Sequence, residues 1–317
     1  MGIAAARAGE GFVHEALLYA GEEAFLSGTL PFVREGLERG EPVLVAVGGR
    51  KIDRLRAALD GNRSVLYADM TEVGSNPAHI IPLWLDFVGD RAGDRPVRGI
   101  GEPIWPERSA AELVECQRHE SLLNLAFAEA PALRLLCPYD VSALPGAVVE
   151  EARRSHPYLV ENGAREESPT YRGVDAIAAP FDEPLRRPPA AARELRFEGA
   201  SLASVRGFVY EVAGEAGLTA SQTHDVALAV NELATNTVHH GGGEGVVRAW
   251  NEEETFVCEV EDGGRIEDPL VGRRRPGHGQ RGGRGLWIAN QLCDLVQVRS
   301  FAEGSTVRVH LRRLARR

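Results

Sequence analysis

The residues with the plainest chemistry form a carboxylate followed by two glycines, Asp262-Gly263-Gly264, directly after an apolar run. A carboxylate there can accept a hydrogen bond from the amino group of a base, and Gly264 lets the backbone approach a flat ring. Alone, D-x-G is a turn. Further on, Gly282-Gly283-Arg284-Gly285-Leu286 opens a short apolar segment. Glycines before a helix let phosphate reach the backbone N–H groups at its positive end. Gly304-Ser305-Thr306 then adds hydroxyls at the start of a strand. Upstream, Asp225, Glu232, Asn236 and His239 recur at spacings of seven, four and three. At about 100° per residue they share one narrow polar helix face, with Val226, Ala229, Val230 and Leu233 on other faces. Such a stripe by itself is a solvated surface. The ordered set, by contrast, describes a site for a base and its phosphates.

Positioning these groups requires a strand from about Leu195, two helices, two strands, a glycine-rich loop, one helix and two strands. Ser201 is a candidate N-cap for the first helix. Thr219 or Ser221 caps a second helix that runs to about His240, where Gly241-Gly242-Gly243 stops it. Val246–Trp250, Phe256–Val260, Leu295–Phe301 and Thr306–Leu311 read as strands, and a two-layer α+β sandwich is the expected packing. Arg265–Arg281, rich in Gly, Arg and Pro, reads as a mobile lid.

This order resembles the GHKL (Bergerat) ATPases, and most of all the Rsb-type anti-sigma-factor serine kinases. Glu232-Leu233-Ala234-Thr235-Asn236 stands as the N box and Gly282–Ile288 as the glycine box. The resemblance covers about residues 193–313. It implies a Bergerat fold that binds ATP and Mg²⁺, with Asn236 holding the metal against the phosphates and Asp262 binding adenine. Gly264, Gly283 and Gly285 would shape the pocket, with Thr306 near its floor. Glu232 would be the general base for a hydroxyl acceptor. His239 stands where many relatives place a basic side chain, so charge at the phosphates would depend on pH or on an arginine of the lid. The implied partners are a sigma factor and a STAS-type anti-sigma-factor antagonist, and a homodimer is left open.

Residues 12–158 alternate β-rich runs (Val43–Val47, Val65–Ala68, Val97–Ile100, Leu133–Pro138) with helical stretches near 22–39, 50–60, 77–89 and 109–129. That alternation predicts an α/β domain with a mainly parallel sheet. The loop Gly48-Gly49-Arg50-Lys51-Ile52 lacks P-loop spacing, so no nucleotide is assigned to it. Three stretches, His14–Tyr19, Gly101-Glu102-Pro103-Ile104-Trp105 and His119-Glu120, resemble the MEDS sensory domain over about residues 10–158. Some relatives carry Cys two residues after the first His. Ala16 stands there in this chain, so no metal- or thiol-based role is expected at that place, and His14 reads as a hydrogen-bonded core residue. Glu102 and Trp105 are candidates for a ligand cleft or a packed turn. Residues 159–192, with Pro180, Pro184 and Arg186-Arg187-Pro188-Pro189, read as an interdomain linker.

Composition narrows the function classes. The chain has 317 residues and a net charge of −10, which does not suit a phosphate-backbone binder. Runs such as Val226–Val230 fall short of the roughly 20 residues of a membrane span, and Met1–Glu10 lacks the apolar core of a signal peptide, so a cytoplasmic protein is expected. Cys116, Cys137, Cys258 and Cys293 have no close spacing, which predicts buried free thiols rather than zinc or disulfides. Three functions compete: an anti-sigma serine/threonine kinase under sensory control, a nucleotide-binding regulatory module without turnover, and a sensor histidine kinase. The last needs a phosphoacceptor histidine on a helical hairpin before the ATPase. Residues 159–192 contain no histidine.

Overall fold

The computed structural model describes residues 11–93, 95–129, 132–173, 183–277 and 283–313. Its chain divides into two compact units, Met1–Ile177 and Ala178–Arg317. No helix among the described residues is long and apolar enough to cross a membrane.

The first unit begins with β1 (Val13–Tyr19), α1 (Gly21–Glu38), β2 (Val43–Val47), α2 (Gly49–Ala58) and β3 (Val65–Asp69). It continues with α3 (Met70–Val73), α4 (Ile80–Arg91), β4 (Val97–Gly101), α5 (Ala110–Ala126), β5 (Leu133–Asp140) and α6 (Gly146–Ser155). The hairpin β6 (Tyr158–Glu161) and β7 (Ala164–Glu167) closes it. Seven strands form one sheet in the order β3-β2-β4-β5-β1-β6-β7, parallel throughout except for the β6–β7 pair. The expected mainly parallel α/β sheet is what forms. β2 reads Val-Leu-Val-Ala-Val and is buried at every position, as a strand covered on both faces should be. A reciprocal capping box between Ser109 and Glu112 starts α5.

Two features depart from the sequence reading. Val13–Tyr19 is not among the candidate strands, yet β1 lies between β5 and β6, with Ala16 opposite both Cys137 and Leu159. His14 and Glu15 are buried there, so the strand shows neither a clean apolar run nor alternation. The expected linker is also partly structured. Residues 158–167 extend the first sheet, and Arg186 gives its carbonyl to the Arg308 guanidinium of the second unit at 2.7 Å.

The second unit contains β8 (Arg193–Glu198), α7 (Leu202–Glu215), α8 (Ala220–His240), β9 (Glu244–Glu252) and β10 (Thr255–Asp262). After the loop come α9 (Arg284–Leu292), β11 (Leu295–Phe301) and β12 (Gly304–Arg312). The strands pair antiparallel in the order β11-β12-β10-β9-β8. Val205 and Val209 of α7, Val226, Val230 and Leu233 of α8, and Leu286 of α9 pack on Phe256, Cys258, Val260 and Val309 of the sheet. This is the expected two-layer α+β sandwich. Thr219 and Gln222 form the capping box that starts α8, whereas Ser201 precedes α7 without a side-chain cap bond to it. All four cysteines are buried and outside any disulfide.

Candidate functional site

α8, the end of β10, the loop after it and the start of α9 enclose a cavity of about 130 Å³. Whole small-molecule sites run to about 300–1,000 Å³, so this volume suits one part of a nucleotide. Its walls are Leu233, Val260, Ile266, Val271, Leu286 and Val307, with Asn236, Thr237, His240, Asp262, Arg265 and Ser305 as polar or charged groups. An apolar slot with one carboxylate at its edge fits a flat base carrying an amino group.

Asp262 ends β10 and ties helix to loop. Its carboxylate accepts the Thr237 hydroxyl at 2.6 Å and the Gly264 N–H at 2.9 Å. A carboxylate offers about four lone-pair sites, so capacity remains for a base. A Cβ on Gly264 would stand 2.6 Å from Gly241 Cα and 2.7 Å from the His240 carbonyl. The glycine therefore lets two loops touch, rather than clearing space for a ring. Gly283 precedes α9 at φ +77° without a side-chain cap, which leaves first-turn N–H groups of a nine-residue helix for an anion. A Cβ on Gly285 would lie 2.6 Å from Asn236 Nδ2, so the glycine box sets where the Asn236 amide can sit. An amide oxygen plus phosphate oxygens and water suits Mg²⁺, which accepts few protein ligands.

Of the expected site residues, Asn236, Asp262, Gly264 and Gly283 line this cavity, and Gly285 abuts it through Asn236. Glu232 is half-buried one turn before Asn236 and outside the lining. Thr306 does not line it either; strand alternation gives that place to Ser305 and Val307. Ser305 completes a relay in which the Ile266 N–H donates to Ser300 Oγ, Ser300 to Ser305 Oγ at 2.8 Å, and Ser305 to the Gly264 carbonyl at 2.8 Å. His239 is exposed, and His240 with Arg265 supplies the basic groups at the cavity. Thr237 is absent from the sequence reading, which gives Gly241 only as a helix stop and Ser305 only as part of a hydroxyl-bearing strand start. Thr237 had a signal: four residues after Leu233 it puts a hydroxyl on the apolar face, and a buried hydroxyl needs a partner. The expected lid is largely packed through 277. Leu270 and Arg273 are buried, Asn290 donates to the Gly272 carbonyl at 3.0 Å, and residues 278–282 lie outside the described residues.

In the first unit, Glu102 is buried beneath Tyr19 and Lys51, accepting from the phenol at 2.9 Å and from the ammonium at 2.5 Å. Burial raises its pKa, with Lys51 opposing. Trp105 stacks under the Arg108 guanidinium, 3.7 Å from the ring centroid. His14 is the buried, hydrogen-bonded histidine expected, and its Nε2 lies 3.1 Å from Glu120 Oε2 and 3.3 Å from Cys137 Sγ. Burial, then His156, pushes the His14 imidazole down to about 4, and burial pushes the Cys137 thiol up.

Residues 13–157 match the family described as the methanogen/methylotroph, DcmR sensory (MEDS) domain. Residues 195–311 match the histidine kinase-like ATPase domain. No curated protein matches the chain. Among solved structures, 40% of the chain aligns with 34% of a Mycobacterium tuberculosis protein comprising RsbU and RsbW domains, at 23% identity and TM-score 0.31. Another 16%-identical match, to the histidine kinase domain of the E. coli osmosensor EnvZ, covers 42% of this chain and 95% of that one at TM-score 0.25. The chain thus spans about a third of the Mycobacterium protein.

Proposed function

We propose that this chain, in which a MEDS domain precedes a histidine kinase-like ATPase domain, is an ATP-dependent serine/threonine kinase that also serves as an anti-sigma factor. The acceptor in this reading is a hydroxyl of a STAS-type antagonist, and the first unit senses a signal and adjusts the activity. The observation that carries it is the convergence of Asn236, Asp262, Gly264 and Gly283 on one cavity at the start of α9.

Bound ATP with Mg²⁺ supplies the phosphoryl group. Asp262 holds the base amino group, the α9 N-terminus and Arg265 face the phosphates, and Asn236 offers its amide oxygen to the metal. Glu232 accepts the proton of the incoming hydroxyl. Its carboxylate has no hydrogen-bond or ion-pair partner among the described residues, which leaves it available as a base. Positioning and charge dominate phosphoryl transfer, so proximity of the base is what matters. The hairpin at 158–167 belongs to the first unit's sheet and holds no histidine, which disfavours the histidine-kinase reading. The position of Glu232 outside the lining favours a second reading, a nucleotide-binding regulator without turnover.

Incubating the full chain with labelled ATP, Mg²⁺ and candidate STAS proteins tests the proposal. Phosphoserine or phosphothreonine on a partner is the expected result. ATP binding with no transfer to any partner supports the second reading, and label on a histidine of the chain itself overturns both.

A further inference from the structure

A second constellation lies in the first unit. His14 on β1, Glu120 on α5, Cys137 on β5 and His156 just after α6 each present one ligand-type atom, and all four atoms lie within 4.8 Å of one another. Every one of these residues is at most 1% exposed. His14 Nε2 is 3.1 Å from Glu120 Oε2 and 3.3 Å from Cys137 Sγ. Cys137 Sγ is 3.5 Å and His156 Nε2 is 3.4 Å from the same carboxylate oxygen. A tetrahedral ion with bonds of about 2.0–2.3 Å has ligand atoms about 3.3–3.7 Å apart. Four of the cluster's six edges are already near those lengths, and the other two are within 4.8 Å.

The outer contacts set the direction of the rings. His156 Nδ1 lies 2.8 Å from the Ala152 carbonyl, which can only accept. His14 Nδ1 lies 3.1 Å from Asn124 Oδ1, whose own amide donates to the Ser155 carbonyl at 2.8 Å and is thereby oriented. Both Nδ1 atoms therefore face acceptors, and the two Nε2 atoms converge on one Glu120 carboxylate oxygen, at 3.1 and 3.4 Å. His156 Nε2 makes no hydrogen bond at all. Two ring nitrogens, a thiol and a carboxylate oxygen thus meet in a dry interior, where one shared cation would satisfy all four. Histidines anchored through the second ring nitrogen are the usual support of a metal site.

We propose that His14, Glu120, Cys137 and His156 hold one divalent transition-metal ion of the Zn²⁺ class in a closed tetrahedral site. Two imidazoles, a thiolate and a carboxylate suit borderline metals, whereas Mg²⁺ and Ca²⁺ require more oxygen ligands. Binding releases the Cys137 proton as the sulfur–metal bond forms. One dication against one thiolate and one carboxylate leaves the buried site without net charge, which a dry interior favours. Four protein ligands and no exposure leave no open position for substrate, so the ion pins β1, α5, β5 and the end of α6 together.

The test uses the untagged full chain, produced in zinc-supplemented medium and, separately, refolded with Co²⁺. Elemental analysis should find about one equivalent of metal. The Co²⁺ form should show intense tetrahedral d–d bands with a sulfur-to-cobalt charge-transfer band in the near ultraviolet. Cys137→Ser should abolish the charge-transfer band, while Cys116→Ser, whose thiol donates instead to the Pro103 carbonyl, should retain it. Zinc-edge X-ray absorption of the unaltered chain should show sulfur among nitrogen and oxygen ligands, whether or not Cys137→Ser folds. Folded protein without stoichiometric metal under both conditions overturns the proposal, as does a first shell lacking sulfur or a charge-transfer band that survives Cys137→Ser.

Discussion

The cavity proposed to take a nucleotide in the second unit and the His/Glu/Cys cluster of the first solve opposite problems. In the cavity, Asp262 and Asn236 are half-buried and keep bonding capacity for something that arrives from outside. Their surroundings come from short contiguous segments: one helix, one strand end and one glycine-rich turn. The cluster faces inward, is sealed from solvent, and draws its members from positions 14, 120, 137 and 156. An exchangeable ligand needs an open edge and loop backbone that comes close. A permanent ion needs side chains whose orientation the core enforces. This difference organises the following experiments, ordered by the size of their expected effect.

Glu232→Gln should spare ATP affinity within about twofold and slow transfer to a partner hydroxyl by about 10²–10⁴-fold, the range of a lost general base. Equilibrium binding and initial rates on the same preparation separate the two. Loss of binding with unchanged transfer per bound ATP would move Glu232 out of the chemistry and into the cavity's framework.

Next in size is the sealed cluster. Glu120→Ala should cost the first unit about 3–5 kcal/mol, since it removes one buried charged partner and strands the others. Denaturant titration read by fluorescence of Trp84 and Trp105 against Trp250 and Trp287 should show the first unit's transition move and the second's stay. Equal loss in both would deny the cluster its local role.

The comparison also explains what was legible in the sequence. The second unit's element order, the Asp262 turn and the glycine box were all readable, because each is a local pattern with its own backbone demand. Gly283, for instance, adopts a positive φ at the residue before α9. β1 and the cluster were not. Cys137 lies 123 residues from His14 in the chain, and only the β1–β5 pairing brings them together. No spacing rule anticipates a contact made by sheet order. The burial of His14 and Glu15 also removed the alternation that would have marked the strand. Thr306 lies outside the cavity lining for a smaller reason. Choosing it over Ser305 required the strand's phase, and a shift of one residue exchanges faces.

Asp262→Asn should weaken ATP binding by about 10–100-fold, the worth of one or two charge-assisted hydrogen bonds lost to a neutral amide. Titration calorimetry measures it, and the first unit's metal content should not change. An unaltered affinity would place the base elsewhere.

The smallest effect is the most discriminating for the cavity's floor. Ser305 donates to the Gly264 carbonyl and receives from Ser300, which in turn receives the Ile266 N–H. The relay thus holds both ends of the loop segment 264–266 against β11 and β12. Ser305→Ala cuts it in the middle, stranding the Gly264 carbonyl and the Ser300 hydroxyl, at a cost of about 1–2 kcal/mol. Because Gly264 also donates to Asp262, part of that loss should reach the nucleotide, as a fall in ATP affinity of about threefold to tenfold. Thr306→Ala, one residue on and facing away from the cavity, should stay within about 0.5 kcal/mol and leave ATP affinity unchanged. Calorimetry on the pair decides between them. If Thr306→Ala proves the more damaging, the hydroxyl that matters lies on the opposite face of β12, and the nucleotide does not sit in the cavity bounded by Ser305.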